Sequence, residues 1–118
     1  MILLNLASGV SGQRRHEEVK ELVRAAGIDA RIRELDPHDI RAAAREALDA
    51  HSEAVVAGGG DGTVSTVAST LAGTSVPLGV LPLGTLNHFA KDAGIPVDLE
   101  KAVQTIAAGH TRRVDVGR

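Results

Sequence analysis

VVAGGGDGTVSTVAS, residues 55–69, is the stretch on which the reading of the chain turns. An apolar run ends on three consecutive glycines, followed by an aspartate, a fourth glycine and a threonine. Glycine loses more conformational freedom on folding than any other residue, so four of them within residues 58–62 need a reason. Either the backbone turns there in a way only glycine allows, or a ligand comes within touching distance of it. The run before the glycines, Glu53 to Ala57, reads as a buried strand, and Val64 to Leu71 reads as a short helix of small residues. A glycine-rich turn from strand to helix is a place where backbone amides and the helix dipole favour an anion.

Outward from this turn the same alternation recurs. Ile2 to Leu6 is a continuous apolar strand, followed by a small-residue turn, ASGVSG (residues 7–12). Glu17 to Ala26 places Val19, Leu22, Val23 and Ala26 on one helical face, and Gly27 stands where a left-handed residue closes a helix. DARIREL (residues 29–35) alternates as a second strand. Asp36 and Pro37 form an N-cap and first-turn pair for a helix whose apolar stripe is Ile40, Ala43, Ala44, Ala47 and Leu48. Leu78 to Leu81 is a fourth strand, closed by Pro82 and Gly84. Asp98 caps a helix through Leu99, Ala102, Val103 and Ile106, and TRRVDVG (residues 111–117) alternates as a last strand.

Apolar strands alternating with helices predict an α/β fold, a Rossmann-like three-layer α/β/α domain on a parallel sheet, over residues 1–118. In such sheets ligands bind beyond the carboxyl ends of the strands. Three of those ends carry the unusual sequences: NLASG (5–9), GGGDGT (58–63) and PLGTLN (82–87). One site built from three loops is the economical expectation.

Composition removes several function classes. The net charge of -2 offers no basic face for nucleic acid. No apolar run reaches the length of a membrane span, and MILLNLASG is too short, and lacks the basic start, for a secretory signal. Without cysteine there is no disulfide framework and no thiolate chemistry. A cytoplasmic location follows as the expectation. Phe89 is the only aromatic residue, which removes an aromatic clamp for a base or sugar and suits a core anchor.

The glycine turn is not a dinucleotide fingerprint, because Thr63 stands where the third glycine is required, and no Gly-Lys-Ser/Thr makes it a Walker A loop. Between Arg45 and Lys91 there is no Lys or Arg, so backbone amides, hydroxyls and a metal must carry the charge of any phosphate bound there. Asp61 is the only carboxylate between Glu53 and Asp92. Three roles are open to it: a Mg2+ ligand, an acceptor for a hydroxyl proton, or an Asx turn that shapes the loop. Thr63 suits capping the helix or donating to a phosphate, and Thr85 and Asn87 carry the same pair of readings. His16, His38 and His51 fall in or beside polar helical faces and His110 in a turn, too scattered for metal-ligand spacing. Lys91 and Asp92 read as exposed helix-end charges.

GGGDGTVSTV (58–67) followed by LPLGTLNHFAKDAGIP (81–96) resembles the diacylglycerol kinase catalytic domain superfamily, especially its bacterial lipid kinases. Sphingosine and ceramide kinases are relatives, with NAD kinases and phosphofructokinases more distant. The resemblance implies Mg-ATP binding, with Gly59, Gly60, Asp61, Gly62 and Thr63 at the phosphates and Asp61 as metal ligand and catalytic residue. It implies Asn5, Ser8 and Gly9 in a first nucleotide loop and Thr85 and Asn87 in a second. Two positions depart from the family pattern: Leu6 stands where proline is usual, and His88 where many members have aspartate. The implied activity is phosphorylation of a lipid hydroxyl, with ATP and Mg2+ as cofactors and the lipid met peripherally at a membrane surface. A second, mainly β domain beyond Arg118 would supply the lipid site and the base, so that the 118 residues bind nucleotide without transferring phosphate. A homodimer is compatible with this. The alternatives are an NAD kinase-like enzyme for a soluble substrate and a non-catalytic nucleotide-binding module.

Overall fold

The structure is a computed structural model that describes residues 1–5, 9–83, 87–96 and 98–109, without the side chains of residues 9–13, 15, 89 and 90. Its elements are β1 (Ile2–Asn5), α1 (Gly9–Ala25), β2 (Ile32–Leu35), a 3-10 turn (Pro37–Asp39), α2 (Ile40–Asp49), β3 (Val55–Gly59), α3 (Asp61–Leu71), β4 (Leu78–Pro82), α4 (His88–Asp92) and α5 (Leu99–Ala108). The strand expected over residues 111–117, with Arg112 and Arg113, lies outside the described residues, as do His110 and the side chain of Phe89.

The four strands form one parallel sheet in the order β2-β1-β3-β4. Alternation along the strands sorts their side chains onto two faces. Leu3, Val55, Ala57 and Val80 pack with Ile40, Ala43, Ala44 and Ala47 of α2 and with Val64, Val67 and Leu71 of α3. Ile2, Leu4, Val56 and Leu81 pack on the other face with Val19 and Val23 of α1 and with Leu99, Ala102 and Val103 of α5. Two dry clusters separated by a sheet are the three-layer arrangement that the apolar strands predicted.

The strand order also locates a crevice. From β1 the chain moves outward to β2, then returns to lay β3 on the other side of β1 and continues to β4. The direction of winding therefore reverses between β1 and β3. At such a switch point the loops leaving two adjacent strands diverge, and a crevice opens beyond their carboxyl ends.

Several local expectations need correction. α1 begins at Gly9, so most of the expected ASGVSG turn is helix. Glycine and serine are weak helix formers, and the burial of Val19 and Val23 farther along overrides their propensity. Asp36 makes no side-chain cap, because the chain first takes a 3-10 turn and α2 starts only at Ile40. Asp98 does cap α5, accepting from the Lys101 amide at 3.1 Å. Gly27 has the expected positive φ of 75° beyond α1. α2 is closed in the same way by His51, at φ 58°, with no glycine to announce it.

β3 runs two residues farther than its apolar letters suggested and includes Gly58 and Gly59. A Cβ on Gly58 would fall on the Leu4 side chain, which is fully buried in the neighbouring strand. Leu4 cannot swing away without repacking its cluster. Gly58→Ala is therefore expected to lower stability by about 1–3 kcal/mol, the usual cost of overpacking a filled core. Urea denaturation of the variant beside the parent chain measures this, and an unchanged midpoint would show that the Leu4 contact is not close.

Candidate functional site

With Gly58 and Gly59 in the strand, only Gly60 separates β3 from α3. The expected loop is thus a one-residue corner. Gly60 is the N-cap in extended conformation, at φ -83° and ψ -173°, and offers no side-chain cap. The first helical bond runs from the Val64 amide to the Gly60 carbonyl at 3.1 Å. The amides of Gly62 and Thr63 precede it, so they have no acceptor within the helix. They stand at the positive end of its dipole.

Thr63 does not cap α3, contrary to one of its two sequence readings. It is 8% exposed, and a Cβ on Gly59 would lie 2.9 Å from both its Cβ and its Oγ1. Gly59 is bare because Thr63 folds back onto the strand end. Gly62 differs from both. A Cβ there would meet nothing within 4 Å, and its φ lies outside the left-handed region. Among the described residues, neither packing nor backbone conformation asks for glycine at this position.

A cleft of about 230 Å³ opens at the switch point, lined among the described residues by Asn5, Pro37, Gly60, Gly62, Thr63 and Thr66. Asn5 comes from the end of β1, and its Oδ1 is buried with no hydrogen-bond partner among the described residues. An orphaned buried acceptor is uncommon in a folded protein and marks a place where a donor or cation is wanted. The sequence marks Pro37 only as a helix-start residue and does not single out Thr66. Pro37 follows the carboxyl end of β2, and Thr66 lies one helical turn after Thr63, with its hydroxyl donating to the Gly62 carbonyl at 2.9 Å. Both positions follow from the topology once the strand ends are known.

The third strand end joins the same edge. Pro82 pairs with Gly59, and the Leu83 amide donates to the Gly59 carbonyl at 3.0 Å. Farther along, the His88 amide donates to Asp61 Oδ2 at 3.0 Å. Asp61, in the first turn of α3, thus ties the glycine corner to the start of α4, and its role in shaping the site is direct. His88 meets it through the backbone, with the imidazole position exposed. Asn87, just before α4, has a positive φ of 52°, a conformation that asparagine tolerates better than most residues. Gly9 is the first residue of α1, whereas Ser8 and Thr85 lie outside the described residues.

The histidines divide. His16 is 3% exposed rather than on a polar helical face. His38, with Asp36 and Asp39, forms an exposed group whose ligand-type atoms lie within 4.8 Å of one another, closer than the sequence spacing of the histidines suggested. Lys91 and Asp92 are exposed in α4, as expected. Among the described residues, no helix is long and apolar enough to cross a membrane.

The sequence profile of the diacylglycerol kinase catalytic domain matches residues 1–118. A Klebsiella pneumoniae (strain 342) protein named "Probable lipid kinase YegS-like" is 41% identical over 104 residues, which cover 86% of this chain and 35% of that protein. "Probable lipid kinase YegS" of Salmonella newport (strain SL254) is 40% identical over 106 residues, covering 86% of this chain and 36% of its own length. The chain therefore spans about a third of the length of these curated relatives. A crystal structure of a diacylglycerol kinase from Bacillus anthracis strain Sterne superposes with a TM-score of 0.76 over 92% of this chain and 39% of that one. At 24% identity that likeness is one of fold.

The Asp61 contact generates a prediction that separates shape from charge. Asp61→Asn keeps an oxygen able to accept from the His88 amide, whereas Asp61→Ala removes it. The alanine variant is expected to lose about 1 kcal/mol or more of stability and to shift the His88 amide resonance. The asparagine variant is expected to keep both near the parent values. Equal losses in the two variants would show that the carboxylate's charge, not its acceptor geometry, holds the corner.

Proposed function

Because this chain belongs to the diacylglycerol kinase catalytic domain family, we propose that it supplies the Mg-ATP-binding part of a lipid kinase, the phosphate acceptor being a lipid hydroxyl. The observation that carries the reading is Gly62. Glycine in a helix costs about 0.5–1 kcal/mol relative to alanine, and nothing among the described residues requires it at this position. A ligand that approaches the backbone closely does require it.

The donor set suits a magnesium nucleotide. The amides of Gly62 and Thr63 suit phosphate oxygens, as helix N-termini generally do. Asp61 and Asn5 offer oxygen ligands of the kind Mg2+ takes directly or through water. Asn5 lines the cleft and its buried Oδ1 has no hydrogen-bond partner among the described residues, which fits this assignment. Bound magnesium would neutralise phosphate charge that no Lys or Arg between Arg45 and Lys91 can reach from this segment. Asp61 is assigned as the metal ligand and catalytic residue. Gly60, Gly62, Thr63, Asn5, Ser8, Gly9, Thr85 and Asn87 are assigned to the nucleotide. Gly59 acts by bringing Thr63 to the strand end.

Phosphoryl transfer is almost entirely positioning and electrostatic stabilisation. In this reading the described cleft is one wall of the site. A mainly β domain of the longer protein would add the lipid site and the base, with the lipid presented at a membrane surface on the cytoplasmic side. The 118-residue chain would then hold nucleotide without transferring its phosphate.

Gly62→Ala tests the reading because stability and binding should move in opposite directions. The added methyl meets no neighbour and favours helix, so stability is expected to stay level or rise by up to about 1 kcal/mol. Mg-ATP affinity, measured by calorimetry, is expected to fall at least tenfold. Unchanged affinity would remove Gly62 from the site. On the same reading, chelating Mg2+ weakens binding of ATP to the parent chain more than raising the salt concentration does, since few exposed charges are there to be screened.

A further inference from the structure

His16 and Thr63 are the buried polar side chains among the described residues, and only Thr63 lines the cleft. His16 lies in α1 about two turns after Gly9. Its Nε2 is 2.8 Å from the Asn5 carbonyl oxygen, and its Nδ1 is 3.6 Å from Glu34 Oε1. A carbonyl oxygen only accepts, so Nε2 must carry the proton. Glu34 belongs to β2, where it pairs with Leu4 beside the Asn5–Leu35 pair. The same Oε1 is 2.9 Å from Lys20 Nζ, one turn beyond His16 in α1, and this hydrogen bond raises the Lys20 pKa. Two contacts thus bind α1 to the carboxyl ends of β1 and β2, one through a buried ring and one through a surface ion pair.

The buried contact lands on the residue that most needs holding. Asn5 is the last residue of β1 and lines the cleft, and its buried Oδ1 has no partner among the described residues. If the end of β1 shifts, the Asn5 side chain shifts with it, whatever rotamer it holds. We infer that His16 is a positioning residue of the nucleotide site: its Nε2–H holds the Asn5 carbonyl and so fixes the end of β1 from which Asn5 lines the cleft. This rests on the nucleotide reading above and extends it to a residue outside the three strand-end motifs.

A buried histidine that merely satisfies its own hydrogen bond would affect folding and leave affinity alone. Two variants separate these roles. In His16→Gln the side-chain amide nitrogen reaches about where Nε2 sits and keeps the donor. His16→Met keeps a comparable volume in a flexible apolar chain and removes the donor. Mg-ATP affinity of the 118-residue chain is read by calorimetry, with urea denaturation reporting stability alongside. We expect His16→Gln to bind within about threefold of the parent and His16→Met to bind at least tenfold more weakly while still unfolding cooperatively. The imidazole 15N shifts of the parent chain are expected to show a protonated Nε2.

Parent-like binding by His16→Met overturns the inference, and so does equal weakening in both variants. A neutral ring protonated only at Nδ1 overturns it without any variant. Should His16→Met fail to fold, His16→Gln and the parent tautomer decide, and tenfold weaker binding by the glutamine variant then counts against the inference. A parent chain that does not bind Mg-ATP overturns the nucleotide reading and this inference with it. Binding by the parent that is indifferent to His16→Met overturns this inference alone.

Discussion

The side-chain space given up at residues 58 and 59, taken by Leu4 and Thr63, governs the site. Gly58 is paired on one side with Leu4 and on the other with Leu81, and the Leu4 side chain occupies the space a Cβ would take. Gly59 pairs with Pro82 and yields its own side-chain space to Thr63. Because Thr63 folds onto the strand, α3 starts one residue after β3 ends. The helix N-terminus then stands across a narrow cleft from Asn5 at the end of β1. A side chain at Gly59 would collide with Thr63 in the first turn of α3, whereas one at Gly58 would collide with Leu4 on the opposite face of the sheet.

The cleft's electrostatics follow from the same economy. Under the proposed function, a phosphate bound here would meet no lysine or arginine from the segment between Arg45 and Lys91. What the site offers is oriented: two first-turn amides, a carboxylate engaged with the His88 amide, and an amide oxygen whose buried lone pairs lack a partner among the described residues. Fixed dipoles of this kind need no reorganisation when charge arrives, which is how preorganised sites stabilise developing charge. The cost falls on local stability. A helix begins at a glycine without a side-chain cap, and a buried acceptor remains unpaired.

The layers and the meeting of the strand ends were legible in the sequence because they depend on periodicity. Ile2 to Leu4, Val55 to Ala57 and Val80 to Leu81 announce strands whatever surrounds them, and Asp98 caps α5 by a purely local rule. Features that depend on contacts distant in sequence were not legible. The early start of α1 over Gly9 and Ser11 runs against local propensity. His51 closes α2 at a positive φ without being glycine. The burial of His16 is invisible among charged neighbours, because its acceptor is a backbone carbonyl 11 residues away. At the site, the glycines could be seen to need reasons, but the sequence does not tell them apart. Gly58 and Gly59 meet neighbouring side chains, Gly60 makes the corner, and Gly62 meets nothing within 4 Å among the described residues.

Amide resonances of the isotopically labelled chain, followed through a titration with Mg-ATP, test this division most directly. The account predicts shifts concentrated at Gly60, Gly62 and Thr63 and at the Asn5 side-chain amide, with those of Ala102 to Ile106 in α5 little changed. Shifts confined to α5, with the corner between β3 and α3 unmoved, would contradict it.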